Sequence, residues 1–158
     1  MNTEDTAKLQ GLIQAARLGE LHPFKMNSEV LAPPPAEGVI NINTEVGIEW
    51  RAPSFLVVGR FLIAGKSRDD VDYLKMEIGI LARYDLATAE EPPKALLAEF
   101  ASRNGILDIW PMLRVLVLSA CGQLGIPPIM VPLVPTPSGA PDTPKAQTPT
   151  GEPSSGQP

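Results

Sequence analysis

Asp108-Ile109-Trp110-Pro111-Met112-Leu113-Arg114-Val115-Leu116-Val117-Leu118-Ser119-Ala120-Cys121-Gly122-Gln123-Leu124-Gly125 is the stretch on which the reading of this chain turns. Asp108 suits an N-cap, and Pro111 sits early enough that its missing N–H leaves no helical bond unmade. The spacing predicts a helix over Met112–Leu124, stopped by Gly125 and Pro127. Leu113, Val115, Leu116, Val117, Leu118, Ala120, Cys121 and Leu124 wrap nearly the whole circumference. A helix that is apolar all round is buried all round. A small sheet covers one side only. The other side therefore calls for a second subunit, across a face carrying Met112, Val115, Leu116, Ser119 and Ala120.

Upstream, Thr3 to Leu18 carries Leu9, Leu12, Ile13 and Ala16 on one helical face, and Gly19 supplies a stop. Leu21 to Leu31 is extended and runs into Ala32-Pro33-Pro34-Pro35, a rigid polyproline turn. Ile40, Ile42, Thr44, Val46, Ile48 and Trp50 alternate with Asn41, Asn43, Glu45 and Glu49. That is a strand with one wet face. After Ala52-Pro53-Ser54, the segment Phe55 to Ala64 is apolar on both sides and asks for two covers. Beyond a turn at Gly65–Asp70, Leu74, Met76, Ile78, Ile80, Ala82 and Tyr84 alternate with Tyr73, Lys75, Glu77, Gly79, Leu81 and Arg83. Strands in succession, joined by short polar turns, predict an antiparallel meander and not βαβ units. Asp85 to Pro93 is a linker, and Lys94 to Arg103 a short helix ended by Asn104-Gly105. The fold class is α+β: a four-stranded antiparallel meander sheet with two C-terminal helices.

Residues 135–158 hold seven prolines and no large aliphatic or aromatic side chain, so a disordered tail is expected there. The organisation is then an N-terminal amphipathic helix over 1–20, a folded domain over 21–134, and the tail. A net charge of −5 with no basic stripe argues against nucleic acid as a partner. Met1 to Thr6 is acidic and polar, with no apolar signal region behind it. The apolar run Ile109–Val134 is broken by Pro111, Arg114, Gln123 and Pro127-Pro128, which argues against membrane insertion. A single cysteine excludes an internal disulfide and fits a reducing compartment, so a soluble, cytoplasmic protein is expected.

Little in the sequence carries chemistry. His22 and Cys121 could pair as base and nucleophile, but Cys121 lies mid-helix among aliphatics, where an inert buried thiol is expected. The two lack companions for a metal site. Glu90-Glu91 before Pro92-Pro93 reads as acids favouring a helix N-terminus, not as a catalytic pair. Gly122–Gly125 lacks the Lys-Ser/Thr of a phosphate loop. No enzymatic activity, cofactor or metal is expected.

The run Ile109-Trp110-Pro111-Met112-Leu113-Arg114, the helix that follows, the exit Gly125-Ile126-Pro127-Pro128 and the closing Val131-Pro132-Leu133 resemble the C-terminal region of the SecB protein-export chaperones. The order upstream is similar too: a strand ending in Ala-Pro, three meander strands and a short helix. The resemblance spans residues 21–134. It implies a homotetramer built as a dimer of dimers, with the long helices sandwiched between two eight-stranded sheets. It also implies ATP-independent binding of unfolded or export-competent polypeptides in apolar surface grooves. Candidate client-binding residues are then Trp50, Phe55, Val57, Phe61, Tyr84, Leu97, Phe100 and Trp110. Where members that dock on the SecA translocase carry acids on the first strand, this chain has Asn27 and Leu31, with Glu29 the one acid nearby. The resemblance thus implies the chaperone body more than translocase docking. A solitary, toxin–antitoxin-associated branch of the family implies the alternative of an adaptor for one fixed partner, such as an antitoxin.

Overall fold

The alternating segments resolve into four long strands in a computed structural model, which describes residues 3–133 and 135. The chain runs α1 (Thr3–Ala15), β1 (Arg17–Val30), β2 (Gly38–Arg51), β3 (Ser54–Ser67) and β4 (Asp72–Asp85). Then come α2 (Lys94–Phe100), a π-helical turn (Ala101–Gly105) and α3 (Ile106–Leu124). Apart from Pro135, the expected tail lies outside the described residues.

All pairings are antiparallel, but the strand order is β1-β4-β3-β2. Only β2, β3 and β4 form a meander; β1 lies beside β4, completing a Greek key. The crossover Leu31–Glu37 spans three strand spacings, about 14 Å, which an extended chain of that length reaches comfortably. Pro33, Pro34 and Pro35 hold it extended, and Leu31 N donates to Tyr73 O at 2.9 Å.

One face of the sheet is the core. Phe55, Val57, Phe61, Ile63, Leu74, Met76, Ile78 and Ile80 are buried on it, as the alternation on β3 and β4 requires. The helical stretch lies across this face and buries Ile109, Trp110, Leu113, Val117, Ala120 and Cys121 against it. The second cover expected for β3 is not supplied by the described residues of this chain. On the outer face Leu62 stays exposed, while Leu56 is flanked in register by Glu49 and Arg83, whose aliphatic stems shield it.

Three local expectations change. Asn104-Gly105 does not end a helix: α2, the π-helical turn and α3 form one 31-residue helix, Lys94–Leu124. Gly105 is needed for close packing, because a Cβ there would stand 2.8 Å from Val57 Cγ1. By length and composition alone this helix could cross a bilayer, unlike the interrupted segment read from the sequence. In this fold 44% of its apolar window is buried, and its inner residues Ile109, Leu113 and Val117 pack into the core. Continuity also makes Asp108 an early helical residue and not an N-cap, and puts Pro111 inside the helix. Finally, α1 stops at Ala15, short of Leu18, and Gly19 belongs to β1, at a register shift where its Cα faces the Asp85 carboxylate. Leu9 and Leu12 of α1 are buried in the common core. The stop at Gly125 is as expected: its φ is 66°, and Ile126 N closes the helix onto Cys121 O at 3.1 Å.

Candidate polypeptide-binding site

The aromatic residues singled out as client-binding are brought together, but in the core. Phe55 stacks on Tyr84 with ring centroids 5.1 Å apart, and Phe100 meets both rings edge-on at 5.2 and 5.0 Å. Phe61 and Trp110 form a further edge contact at 6.0 Å. These five, with Val57 and Leu97, are buried within the chain itself, so they do not line an open groove. Trp50, half-buried at the end of β2 opposite Phe55, is the exception. The reason is the long helix. It lies over the sheet face that carries Phe55, Val57, Phe61 and Tyr84 and sets its own Leu97, Phe100 and Trp110 against it, and rings of this size gain most by filling that layer. Tyr84 also donates a 2.7 Å hydrogen bond to Asp108 Oδ2. Burial first, and then that hydrogen bond and the Asp108 charge, push the phenol far above its ordinary range, so it remains a donor.

An open apolar groove lies at the crossover end of the sheet. It has a volume of about 360 Å³, with Pro34, Pro35 and Ile40 on one wall, Ile126 to Met130 on the other, and Tyr73 between them. No charged side chain lines it. A second hollow, about 340 Å³ between α1 and α2, is rimmed instead by Asp5, Lys8 and Glu99. Of these two, the first suits extended apolar chain.

Tyr73 reaches the groove through an irregularity. Gly65 pairs with Leu74 and Lys66 with Asp72, leaving Tyr73 as the extra residue of a β-bulge. The bulge turns its ring from the outer face, where strict alternation places it, to the helix face. There it lies on Gly38 and Gly65, whose hypothetical Cβ atoms would stand 3.1 and 2.6 Å from it. Its hydroxyl has no protein hydrogen-bond partner among the described residues and is available to a peptide carbonyl. Burial, and secondarily the electrostatic influence of nearby Cys121, raise its pKa, so it stays protonated. The crossover prolines are legible in the sequence as a rigid turn but not as a groove wall, and Tyr73 does not stand out at all, because the bulge has no local signature beyond two distant glycines.

The far wall is the segment after α3. Ile129 and Val131 are buried, and Trp110 Nε1 donates to Pro132 O at 2.7 Å. Trp110 is thus engaged by this chain's own backbone. On the outer face of α3, the expected interface residues divide. Val115 and Ser119 are exposed and Met112 and Leu116 half-buried, whereas Ala120 is buried in the chain's own core. Ala120 shares the i, i+3, i+4 stripe of Leu113 and Val117 and therefore faces the sheet. Leu107 and Leu118, not singled out in the sequence, extend the exposed stripe at 49% and 47%, with Val115 at 65%.

No protein-family model and no curated protein matches the sequence. Among solved structures, the chain superposes on the Rv1957 SecB-like chaperone of Mycobacterium tuberculosis, determined in complex with a ChAD peptide from the Rv1956 HigA1 antitoxin. The TM-score is 0.75 at 18% identity, over 82% of this chain and 99% of that one. The fold is that of a SecB-like chaperone. Its antiparallel sheet and C-terminal helix are the elements the SecB resemblance implied. A 4-hydroxybenzoyl CoA thioesterase mutant complexed with 4-hydroxybenzoyl CoA aligns at a TM-score of 0.34 and 17% identity, over 60% of this chain and 73% of its own. A Streptococcus agalactiae protein of unknown function aligns at 0.35 and 9%, over 74% and 96%. Likenesses at those scores carry no argument, so the SecB-like fold is the one that bears on function.

Proposed function

We propose that this chain is an ATP-independent, non-enzymatic chaperone of the cytoplasm that holds extended, non-native polypeptide in the groove between the proline crossover and the segment after α3. The observation that carries this reading is the groove's lining: Pro34, Pro35, Ile40, Tyr73 and the Ile126–Met130 wall, without a charged side chain. Such a surface binds by apolar contact, with one phenol to orient a backbone, and so accepts many sequences. The SecB-like neighbour at a TM-score of 0.75, complexed with a peptide, supports it.

The active species is a homotetramer. Its support is the exposed stripe Leu107, Val115 and Leu118 on α3, an apolar helix face that a second copy would bury. The proposal does not extend to docking on SecA: at the positions where docking members carry acids this chain has Asn27 and Leu31, with Glu29 the one acid nearby.

A second reading, an adaptor for one fixed partner such as an antitoxin, is favoured by the antitoxin peptide in the neighbour's complex. One experiment separates the two. A chemically denatured, aggregation-prone client is diluted into the intact oligomer at near-stoichiometric ratio and light scattering is followed. Broad suppression over unrelated clients is expected. Aggregation at the uninhibited rate for all of them, with the oligomer intact, removes the chaperone reading, and one tight partner among inert clients favours the adaptor.

A further inference from the structure

After α3 the chain folds back along Trp110 in a form that itself looks like a bound peptide. Between Ile129 and Leu133 it has no helix or strand. Ile129 and Val131 are 8% and 5% exposed, while Met130 and Leu133 are 80% and 78% exposed. From Ile129 to Val131 inward and outward side chains thus alternate as they do along an extended strand, and Leu133 turns out to solvent. One polar contact fixes the register: Trp110 Nε1 donates to Pro132 O at 2.7 Å. A buried indole N–H needs an acceptor, so a backbone carbonyl at this point is a requirement of the site and not an accident of the loop.

What holds the segment is otherwise slight. Among the described residues, no backbone hydrogen bond joins 127–133 to the rest of the chain; the last such bond is Ile126 N to Cys121 O. Pro127, Pro128 and Pro132 have no N–H to give. The segment can leave without breaking any strand or helix ladder, which marks a region of low local stability. Its wall is also continuous with the open groove, since Ile129 and Met130 face Pro34, Pro35 and Ile40 across it.

We propose that residues 127–133 are a displaceable, built-in occupant of the client site, and that the site selects the pattern they display. That pattern is two branched aliphatic side chains spaced by one residue, followed by a position whose carbonyl meets the Trp110 indole. This rests on the reading of the groove as a client site. Tethering gives the segment a high effective concentration, so a client must match it well to replace it. The occupant keeps the apolar seats covered when no client is present and sets the threshold for capture.

The test uses the full-length oligomer and a fluorescently labelled peptide, Ile-Pro-Pro-Ile-Met-Val-Pro-Leu, whose anisotropy reports binding. Ile129→Ser with Val131→Ser releases the segment, which is the groove's displaceable wall, and leaves the fixed lining Pro34, Pro35, Ile40 and Tyr73, with Trp110, intact. That variant is expected to bind the peptide at least about tenfold more tightly than the native chain, because it removes intramolecular competition. Adding Trp110→Phe, which retains a ring but no N–H, is expected to weaken the peptide again by about threefold or more, one lost hydrogen bond. Equal peptide affinity in native and released chains overturns the inference. If the double variant loses the native circular dichroism, Val131→Ser alone replaces it, and unchanged affinity there overturns the inference likewise. Suppression of client aggregation by the native chain, measured alongside, keeps the two readings apart. If suppression occurs with equal peptide affinities, only the inference fails; if no client and no peptide is held by any variant, the chaperone reading fails.

Discussion

The Tyr84 hydroxyl donates to Asp108 Oδ2 at 2.7 Å, tying the last strand of the sheet to the first turn of α3. Tyr84 is also the centre of the aromatic layer, stacked on Phe55 and met edge-on by Phe100. Ring and hydroxyl contribute separately. Tyr84→Phe keeps the stacking and is expected to cost about 1–2 kcal/mol, the worth of a hydrogen bond to a charged acceptor at a partly buried site. Urea unfolding checks this: the midpoint should fall with an unchanged slope.

The same phenol predicts an alkaline limit. Burial, then the Asp108 bond and charge, raise its folded pKa far above that of an unfolded tyrosine, about 10. Below that pH both states hold the proton, and stability is unaffected. Above it the unfolded chain releases a proton that the folded chain retains, so stability falls as pH rises. Tyr73, raised mainly by burial, adds to the slope in the same direction. Thermal melts between pH 9 and 11 should show Tm falling in the native chain and falling less steeply in Tyr84→Phe.

Two glycines should respond oppositely to alanine. Gly105 has ordinary helical angles, so alanine gains up to about 1 kcal/mol of helix propensity there. Its new Cβ, however, would stand 2.8 Å from the Cγ1 of buried, β-branched Val57, and such overpacking costs about 1–3 kcal/mol. Net destabilisation is expected. Gly11, in exposed α1, has nothing within 4 Å, so Gly11→Ala should stabilise by about 0.5–1 kcal/mol. Calorimetry on both variants decides it, and equal Tm changes would contradict the packing role of Gly105.

Gly105 also marks where local reading of the sequence runs out. Asn104-Gly105 has the composition of a helix exit, and nothing nearby in sequence reveals that Val57 needs a side-chain-free surface above it. Tyr73 fails for a related reason: period-two alternation puts it on the outer face, and a bulge defined by pairing with β3 turns it inward. The strands themselves were legible because burial imposes alternation residue by residue on β2, β3 and β4. Which strands neighbour one another was not, since the placement of β1 beside β4 depends on a crossover that spacing alone does not direct. For the aromatics, a core layer and an apolar groove draw on the same residue types. Only the helix that brings Phe100 and Trp110 down onto Phe55 and Phe61 assigns them to the core.

Core and groove can be separated by measurement. Phe55→Ala should cost about 3–5 kcal/mol of stability, as a fully buried ring is lost, without a selective effect on client affinity in the fraction that remains folded. Ile40→Ser, on the groove wall and only half-buried, should do the reverse. It should leave the melt nearly unchanged and weaken peptide binding about fivefold or more, from one lost aliphatic contact. Anisotropy and denaturation on the same samples check the pair. Weaker binding in folded Phe55→Ala with none in Ile40→Ser would move the site into the aromatic layer.

The outer face of α3 makes the last prediction. Leu107, Val115 and Leu118 recur at helical spacing on the side turned from the sheet, and their exposure in the single chain is large for aliphatic residues. Ala120 points the other way, so a charge there would disrupt the fold instead of the assembly. Val115→Glu and Leu118→Glu should therefore lower the mass measured by light scattering to that of a smaller species, with circular dichroism unchanged. Each charge would have to be desolvated at an apolar interface with no partner, which costs several kcal/mol per ion. If the mass is unaltered in both, the assembly does not use this face. In that case the edge strands β1 and β2, whose outer backbone groups have no neighbouring strand in this sheet, are the next surfaces to test for a contact between copies.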